Sequence, residues 1–366
     1  MAAMAVLLAL PPEVGAAEQP AATWTVAAEH AEAALKRHYW LPAIHLFRNR
    51  ADRDEEPGKG FNYWWQAHAL LCMAETVRRG GTTWSAGDLG AFRDALVKQN
   101  GGHWTNDYFD DEGWMAIALL QCADATRDAA WRTLARGLWD DIRASWTDQF
   151  GGGIPWRKTQ RDYKNAPANG PAIVIGATLY RADHQQGDLG DARRICDWLL
   201  KTLQDPQGGL IWDGVNRTGN GAIDKNWRFS YCQGIAIGGC LELYLATRTP
   251  SYLSAAERIG TVALDTFFTP ATGLCPEGGN GDGGLFKGIL VRNLAALAQA
   301  SARLAPRIRQ LLEANGRRLA QLQGDHGDGL LPSTWSNGAA PMDLELSADL
   351  SGVMLLEALS RIAAPR

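Results

Sequence analysis

Three consecutive acids, Asp110, Asp111 and Glu112, are the residues of this sequence that most clearly suit catalytic chemistry. They lie in the stretch YFDDEGW, at the start of an apolar segment. Carboxylates in the first turn of a helix are stabilised by unpaired N–H groups and the helix dipole, by about 0.3–1 kcal/mol each. Capping accounts for one or two acids, but three acids among aromatic side chains exceed that requirement. The stretch therefore predicts a carboxylate pair with a catalytic role.

Glycoside hydrolysis is the chemistry that such a pair suits, because it needs one ionised carboxylate and one protonated acid beside the scissile bond. Neighbouring Cα atoms are about 3.8 Å apart. Their side chains reach the roughly 5–5.5 Å of retaining enzymes more easily than the roughly 6.5–9.5 Å of inverting enzymes. Two like charges so close do not both ionise readily, so one carboxyl keeps its proton near neutral pH. The pair thus predicts a retaining mechanism.

Other motifs with similar residues do not fit. The terpene-cyclase motif DDxxD needs an acid at position 114, where this chain has Trp114. The stretch GNGDGG at 279–284 resembles a nucleotide-binding loop, but no strand pattern precedes it. The seven His and six Cys form neither HExxH nor CxxC. No metal or cofactor is therefore expected, and the cysteines are predicted to be buried free thiols.

Composition narrows the class of protein further. The chain has 366 residues, of which 46% are hydrophobic and 21% charged, with a formal net charge of -4. No Lys/Arg-rich run is present, so neither nucleic acid nor an anionic membrane is an expected partner. Fifteen Trp residues are many for this length, and the sequence leaves open which pack in a core and which stack on a neutral ligand.

A repeated element positions the acids. Glycine-rich turns followed by apolar residues, and often by Trp, recur at intervals of roughly 50–60 residues, which is typical of repeated supersecondary units. A charged helix pattern precedes each turn, and these outer helices are predicted at 23–39, 86–99, 128–147, 188–204, 251–268 and 304–323. A more apolar helix pattern follows it, and these inner helices are predicted at 61–79, 110–126, 167–183, 228–246, 284–301 and 345–362.

Six such hairpins, with inner helices apolar on nearly all sides, predict a closed all-α (α/α)6 barrel of about twelve helices. Strand patterns are nearly absent. The glycine-rich turns then share one end of the barrel, at the N-termini of the inner helices, and the opposite rim consists of short turns. The side chains expected on this rim are Trp104, Asp107, Tyr108, Trp156, Lys164, Asn165, Trp212, Asp213, Asn226, Arg228, Tyr231, Glu277, Lys287 and Trp335.

The order of these stretches resembles glycoside hydrolase family 76, the endo-α-1,6-mannanases. The similarity covers about residues 23–362 and includes NYWWQAHALL, YFDDEGW, GGGIPWRK, KNAPANGPAIVIGATLY, YCQGIAIGG and FKGILVRNL. One departure is Cys232 in YCQG, where the family usually has Asn. If the Cys232 side chain touches sugar, specificity differs; if it faces a neighbouring helix, nothing changes.

The resemblance implies a retaining, endo-acting hydrolase of α-1,6-linked mannan or manno-oligosaccharide that needs no cofactor. It assigns Asp110 as nucleophile and Asp111 as acid/base. The position of Glu112 in the first turn separately favours a role as support for the helix and as a neighbour that raises the pKa of the acid. Combined with the rim, it gives a set of expected substrate-binding residues: Trp64, Trp104, Asp107, Tyr108, Trp156, Asn165, Trp212, Tyr231, Gln233 and Lys287. A cell-wall transglycosylase acting on α-1,6-mannose glycans and a non-catalytic glycan-binding barrel remain alternatives.

The first 22 residues form a leader in this interpretation, followed by one catalytic domain over 23–366. The apolar run Met1 to Leu10 and the small residues up to Ala17 resemble a signal peptide without its basic start. The protein is therefore expected to be secreted or periplasmic. No later stretch is long and apolar enough to span a bilayer, and a monomer is expected.

Overall fold

A computed structural model describes residues 21–52, 61–326, 328–336 and 345–364. This part of the chain contains twelve α-helices, close to the number and the bounds that the sequence predicts. They are α1 (Ala21–Tyr39), α2 (Tyr63–Arg78), α3 (Ala86–Gln99), α4 (Phe109–Thr126), α5 (Ala129–Ala144), α6 (Ala166–Asp183), α7 (Gln186–Leu203), α8 (Ser230–Thr247), α9 (Pro250–Phe267), α10 (Gly283–Ala300), α11 (Ala305–His326) and α12 (Leu346–Ala363). Most of the predicted leader lies outside the described residues.

The even-numbered helices form a closed inner ring. Each packs against the next even-numbered helix, and α12 packs against α2. Each outer helix packs against the inner helix that precedes it, and α1 packs against α12. The predicted (α/α)6 barrel is therefore confirmed.

Inner and outer helices differ as their sequences predict. Helix α8 is buried along nearly its whole first three turns. A Cβ at Gly234 would lie 2.8 Å from the Ile289 carbonyl oxygen, so glycine allows α8 and α10 to pack closely. Outer helix α5 buries one stripe, which includes Trp131, Leu138 and Ile142. Full burial of each such aliphatic or aromatic side chain contributes about 1.5–3 kcal/mol.

Six buried polar side chains link the inner ring to the loops that precede it. Each sits at the fourth residue of its inner helix, or at the fifth in α10, and each forms a hydrogen bond with backbone of the preceding connection or the neighbouring one. These clamp residues are Gln66, Glu112, Asn169, Gln233, Lys287 and Asp349. Because a buried backbone group without a partner costs about 1–3 kcal/mol, the clamps hold the loops at this end of the barrel.

The long connections all lie at this end, and short turns join the helices at the other end, as predicted. The strands were not predicted. They are β1 (Trp40–Leu41), β2 (Leu46–Phe47), β3 (Pro155–Arg157), β4 (Gln160–Asn165) and β5 (Gly214–Val215). Strands β1 and β2 pair with each other, and β3, β4 and β5 form an antiparallel sheet in that order.

An isolated bridge between Tyr108 and Arg157 ties the second sheet to the start of α4. The sheet therefore borders the predicted carboxylate pair. All six cysteines are free and buried, as predicted. Among the helices described, none has the length and apolar character needed to cross a membrane.

Candidate active site

The acidic stretch begins α4 at the mouth of the barrel. Tyr108 is the N-cap residue, and Asp110, Asp111 and Glu112 occupy the first turn. Asp110 and Asp111 line a cavity of about 510 Å³, whereas Glu112 is fully buried behind it. Two of the three acids thus face open space, and the third belongs to the scaffold.

Asp110 is held as a hydrogen-bond acceptor. Its Oδ2 accepts the Trp156 indole N–H at 3.0 Å, and its Oδ1 accepts the backbone N–H of Asp111 at 3.1 Å. Burial raises the pKa of Asp110 to about 7, and these hydrogen bonds oppose the rise because they favour the charged form. Asp110 is therefore the member of the pair that ionises more easily.

Asp111 is the member that keeps its proton. Burial raises its pKa well above the usual range, and the nearby charges of Asp110, Asp282 and Glu112 raise it further. The Asn106 side-chain amide, which donates to Asp111 Oδ2 at 2.9 Å, opposes this only in part. Asp110, which accepts hydrogen bonds, therefore ionises before Asp111, which is surrounded by negative charge. General acid catalysis requires this division into one ionised and one protonated carboxyl.

Glu112 is the clamp residue of its repeat. Its Oε1 accepts the backbone N–H of Asn106 at 2.7 Å and the Lys158 ammonium at 2.8 Å. Lys158 also contacts Asp141 at 2.8 Å. Burial raises the pKa of Glu112 to about 7 despite the lysine. Glu112 fixes the loop that carries Asn106, and through Asn106 it positions Asp111.

Aromatic and acidic side chains make up most of the cavity wall. The lining residues are Asn62, Trp64, Tyr108, Asp110, Asp111, Trp114, Trp156, Tyr163, Asn165, Asp213, Arg217, Trp227, Phe229, Tyr231, Asp282 and Phe286. Flat rings interleaved with carboxylates and amides are the surface that sugar rings and hydroxyl groups match. Metal-like groupings of three or more His, Cys, Asp or Glu side chains do not occur in the described ranges.

A third carboxylate, Asp213, also lines the cavity. Its two oxygens accept the Tyr163 hydroxyl at 2.6 Å and the Tyr231 hydroxyl at 3.1 Å. Burial raises its pKa, and its charge contributes to the raised pKa of Asp110. Cys232 is fully buried behind Asp213, with 3.7 Å between its Sγ and the Asp213 Oδ1, and is not among the lining residues.

A fourth carboxylate, Asp282, comes from the GNGDGG loop at the start of α10. Its Oδ1 accepts the indole N–H groups of Trp64 at 2.9 Å and Trp65 at 3.1 Å. The loop that resembles a nucleotide-binding motif thus supplies an acid to this cavity. Sequence reasoning missed Asp282 because it compared the loop only with phosphate-binding motifs.

Five of the expected substrate-binding residues lie in the cavity wall: Trp64, Tyr108, Trp156, Asn165 and Tyr231. The residues that sequence reasoning did not place here include Asn62, Tyr163, Trp227, Phe229 and Phe286. Trp227 and Phe229 flank the predicted helix start at 228, so their aromatic character was the available signal. The predicted sugar-binding role of Trp64, Tyr108, Trp156, Asn165 and Tyr231 stays a prediction.

Two of the expected substrate-binding residues, Gln233 and Lys287, are corrected by the structure. Gln233 is fully buried and bonds both backbone groups of Ile211, at 2.8 Å each. Lys287 is 1% exposed and donates to the Glu277 carbonyl at 2.8 Å and to the Ser333 carbonyl. Both are clamp residues, so their polar groups are engaged in the scaffold.

Three further expected contacts also lie outside the cavity wall. The ring of Trp104 packs against the core, and its carbonyl accepts the Tyr63 hydroxyl at 2.6 Å. Trp212 is buried, 6% exposed. Asp107 accepts the Thr159 hydroxyl at 2.9 Å and thereby fixes the turn between β3 and β4. Recurrence at equivalent places in the repeat did not distinguish packing from ligand contact.

Comparison with known proteins agrees with this geometry. The family model described as Glycosyl hydrolase family 76 matches residues 23–360, and the chain belongs to this family. A curated relative, the mannan endo-1,6-alpha-mannosidase DFG5 of Candida albicans, is 26% identical over 240 residues, which are 60% of this chain and 53% of that protein. The chain thus spans about half the length of the curated relatives it matches.

Solved structures are similar over a larger share. An inactive variant of the alpha-1,6-mannanase GH76A of Salegentibacter sp. HEL1_6, in complex with alpha-1,6-mannotetrose, is 31% identical and has a TM-score of 0.84. The match covers 93% of this chain and 99% of that one. The Lin0763 protein of Listeria innocua is 30% identical with a TM-score of 0.81, over 92% of this chain and 97% of that one.

Proposed function

We propose that this protein hydrolyses internal α-1,6-mannosidic bonds of mannan with retention of configuration at the anomeric carbon. The observation that carries the proposal is the unequal pair Asp110 and Asp111. Hydrogen bonds favour the charged form of Asp110, and neighbouring negative charges favour the protonated form of Asp111. The substrate follows from the similar mannanase, whose inactive variant has two adjacent aspartates replaced and binds alpha-1,6-mannotetrose. The curated relatives, which are mannan endo-1,6-alpha-mannosidases, support endo action.

In the first step, a carboxylate oxygen of Asp110 attacks the anomeric carbon. The bond from that carbon to the O6 of the leaving sugar breaks, and the Asp111 proton passes to this oxygen. Asp110 then carries a glycosyl ester, and Asp111 is a carboxylate. The Trp156 N–H, 3.0 Å from Asp110 Oδ2, keeps the attacking carboxylate oriented.

In the second step, Asp111 acts as a base. It takes a proton from water, and the water oxygen bonds to the anomeric carbon as the ester bond to Asp110 breaks. The sugar leaves with its original α configuration, Asp110 is a carboxylate again, and Asp111 has regained its proton. Loss of the Asp110 charge in the ester lowers the pKa of Asp111 and so favours its change from acid to base.

The remaining wall holds the polymer in this proposal. Asp213 and Asp282 accept sugar hydroxyl hydrogen bonds with the oxygen lone pairs that Tyr163, Tyr231 and Trp64 leave free. Aromatic rings on opposite walls stack on successive sugars, and Trp227, which is 40% exposed, extends this surface beyond the cavity. A surface that continues beyond the cavity has room for several units of a chain, which supports cleavage within a polymer.

Incubation with linear α-1,6-mannan tests the proposal. We expect a ladder of intermediate oligosaccharides early in the reaction on size-exclusion chromatography, and proton NMR in the first minutes should show the α-anomer at new reducing ends. The β-anomer as first product would contradict the roles of Asp110 and Asp111. Release of mannose alone would contradict endo action, and products longer than a supplied oligosaccharide would indicate transglycosylation through the same intermediate.

Export from the cell is part of the same proposal, because mannan is a polymer that does not cross membranes. The apolar run and small residues of the leader, within 1–22, support it. Expression in a secreting host followed by N-terminal sequencing is the test. We expect a mature protein that begins near Ala17; an intact leader on protein retained in the cytoplasm would contradict export.

A further inference from the structure

A second cavity opens at the other end of the barrel axis. Its volume is about 690 Å³, and the later turns of inner helices α4, α6, α8 and α10 form most of its wall, together with Arg361 of α12. Asp110 and Asp111 begin α4, whereas Asp124 in the last turns of the same helix lines this second cavity. The glycan chemistry therefore leaves the second cavity without a role.

Arg292 is the exceptional side chain of this cavity. It lines the wall from the middle of α10, and among the residues described its guanidinium has no hydrogen bond and no ion pair within 4.0 Å. The two acids whose charges attract Arg292 are already engaged. Glu75 accepts from Arg78 at 2.6 Å and from Arg361 at 3.1 Å, and Glu242 accepts from Arg181 at 2.7 Å.

The helix dipole does not explain Arg292. Cations within the last turn of a helix are stabilised by its partial negative charge, which accounts for Arg181, Arg248 and Arg361 at the ends of their helices. Arg292 lies eight residues before Ala300, the last residue of α10. The dipole effect is confined to the last turn, so it does not reach that far.

Burial is the main influence on the charge of Arg292. It lowers the pKa of Arg292 to about 10, and the attraction of Glu75, which exceeds the repulsion by Arg361, compensates only in part. Removing one partner of an ion pair away from bulk water is destabilising, because it leaves a charge uncompensated. A protein that retains such a cation in an open cavity gains stability when an anion enters.

We propose that the second cavity binds a compact oxyanion of the phosphate type on Arg292. A guanidinium presents paired N–H donors that match phosphate oxygens in a bidentate arrangement. Arg248 at the cavity mouth has no ion pair in the described ranges and attracts the anion, and the Gln121 amide lines the same wall. The cavity also has room for a phosphate ester, so free phosphate and a sugar phosphate are two sources of the same chemistry.

Thermal unfolding with inorganic phosphate tests this site. Melting temperature is measured in increasing phosphate against chloride at equal ionic strength, and isothermal titration calorimetry with inorganic phosphate measures the dissociation constant. We expect a saturable rise in melting temperature for the natural protein and no phosphate-specific rise for Arg292→Met. Hexose 6-phosphate is the second arm: tighter binding than inorganic phosphate indicates the ester, and equal or weaker binding indicates free phosphate.

Two surface variants keep the test decisive if Arg292→Met does not fold. Arg248→Gln removes a cation at the cavity mouth, and Arg303→Gln removes an arginine 57% exposed on the outer surface, paired with Glu257. We expect Arg248→Gln to weaken phosphate binding about two- to fivefold, the effect of a surface charge of up to about 1 kcal/mol. Arg303→Gln should leave it unchanged. No phosphate response in the natural protein, the same response in Arg292→Met, or equal affinities in the two surface variants would overturn the proposal.

Discussion

Glu112→Gln should preserve the fold and most of the activity, because Glu112 is a clamp rather than a reacting group. The glutamine oxygen can accept the Asn106 N–H, now held at 2.7 Å, as Gln66 and Gln233 do for their own loops. Since burial raises the pKa of Glu112 to about 7, its ionised form costs stability as pH rises through that value. We therefore expect the free energy of unfolding to change by no more than about 1 kcal/mol at pH 5 and to increase at pH 8.

Glu112→Ala should behave differently. It leaves the buried Asn106 N–H without an acceptor, at a cost of about 1–3 kcal/mol, and adds a cavity.

In Glu112→Gln, loss of the nearby charge lowers the pKa of Asp111, so the alkaline limb of the kcat/KM profile on α-1,6-mannan moves to lower pH.

Urea unfolding at pH 5 and pH 8, together with the pH–rate profile, measures both effects. Asp349→Asn is the matched control, because it makes the same change at the clamp of α12, where Asp349 accepts the Leu331 N–H at 2.7 Å and burial raises its pKa to about 7. It should gain stability at pH 8 without changing the pH–rate profile. A hundredfold loss of turnover in Glu112→Gln, or stability as low as that of Glu112→Ala, would refute the clamp assignment.

Three further predictions concern the cavity. Asp110→Asn and Asp111→Asn should each lower turnover by about 10²–10⁴-fold or more. The raised pKa values of Asp110 and Asp111 make the natural protein lose stability as pH increases. Both variants should therefore have a higher melting temperature than the natural protein at pH 8, with a smaller difference at pH 5. A variant that keeps a tenth of the natural rate would contradict its assigned role. Trp156→Phe removes the N–H donor to Asp110, so the pKa of Asp110 should rise. The acidic limb of the kcat/KM profile should then move to higher pH. An acidic limb that does not move would mean that Asp110 is not the nucleophile. Trp227→Ala should raise KM for oligomannosides with little change in melting temperature, because the ring is 40% exposed; an unchanged KM would remove it from the binding surface.

The barrel could be predicted from the sequence because it depends on repetition. Six similar hairpins make the same helical pattern six times, so one ambiguous boundary matters little. The sheet beside the carboxylate pair could not be predicted in this way. Strand β4 reads QRDYKN, which lacks alternating apolar residues, and β5 has only two residues. Both owe their conformation to pairing with each other and to Lys164, which donates to three loop carbonyls.

The sequence predicted at which end of the barrel the site lies, but it predicted less well which side chains line it. Trp156 and Trp212 occupy similar places in successive repeats, yet Trp156 faces the cavity and Trp212 is buried in its loop. A periodic pattern specifies where a residue lies along the unit. The direction of its side chain depends on loop backbone that differs between units, so tryptophans with the same spacing have different neighbours.

Side-chain direction is regular where the backbone is regular, and this explains why three acids stand together. An α-helix turns about 100° per residue, so the fourth residue points about 200° away from the second. The second residues of α2, α4 and α8, which are Trp64, Asp110 and Tyr231, all line the cavity. The fourth residues of the same helices, Gln66, Glu112 and Gln233, all clamp the preceding loop. Asp110 therefore faces the cavity because of its position, as does Asp111 beside it, and Glu112 completes the run of acids because its repeat uses a carboxylate where the other two use an amide.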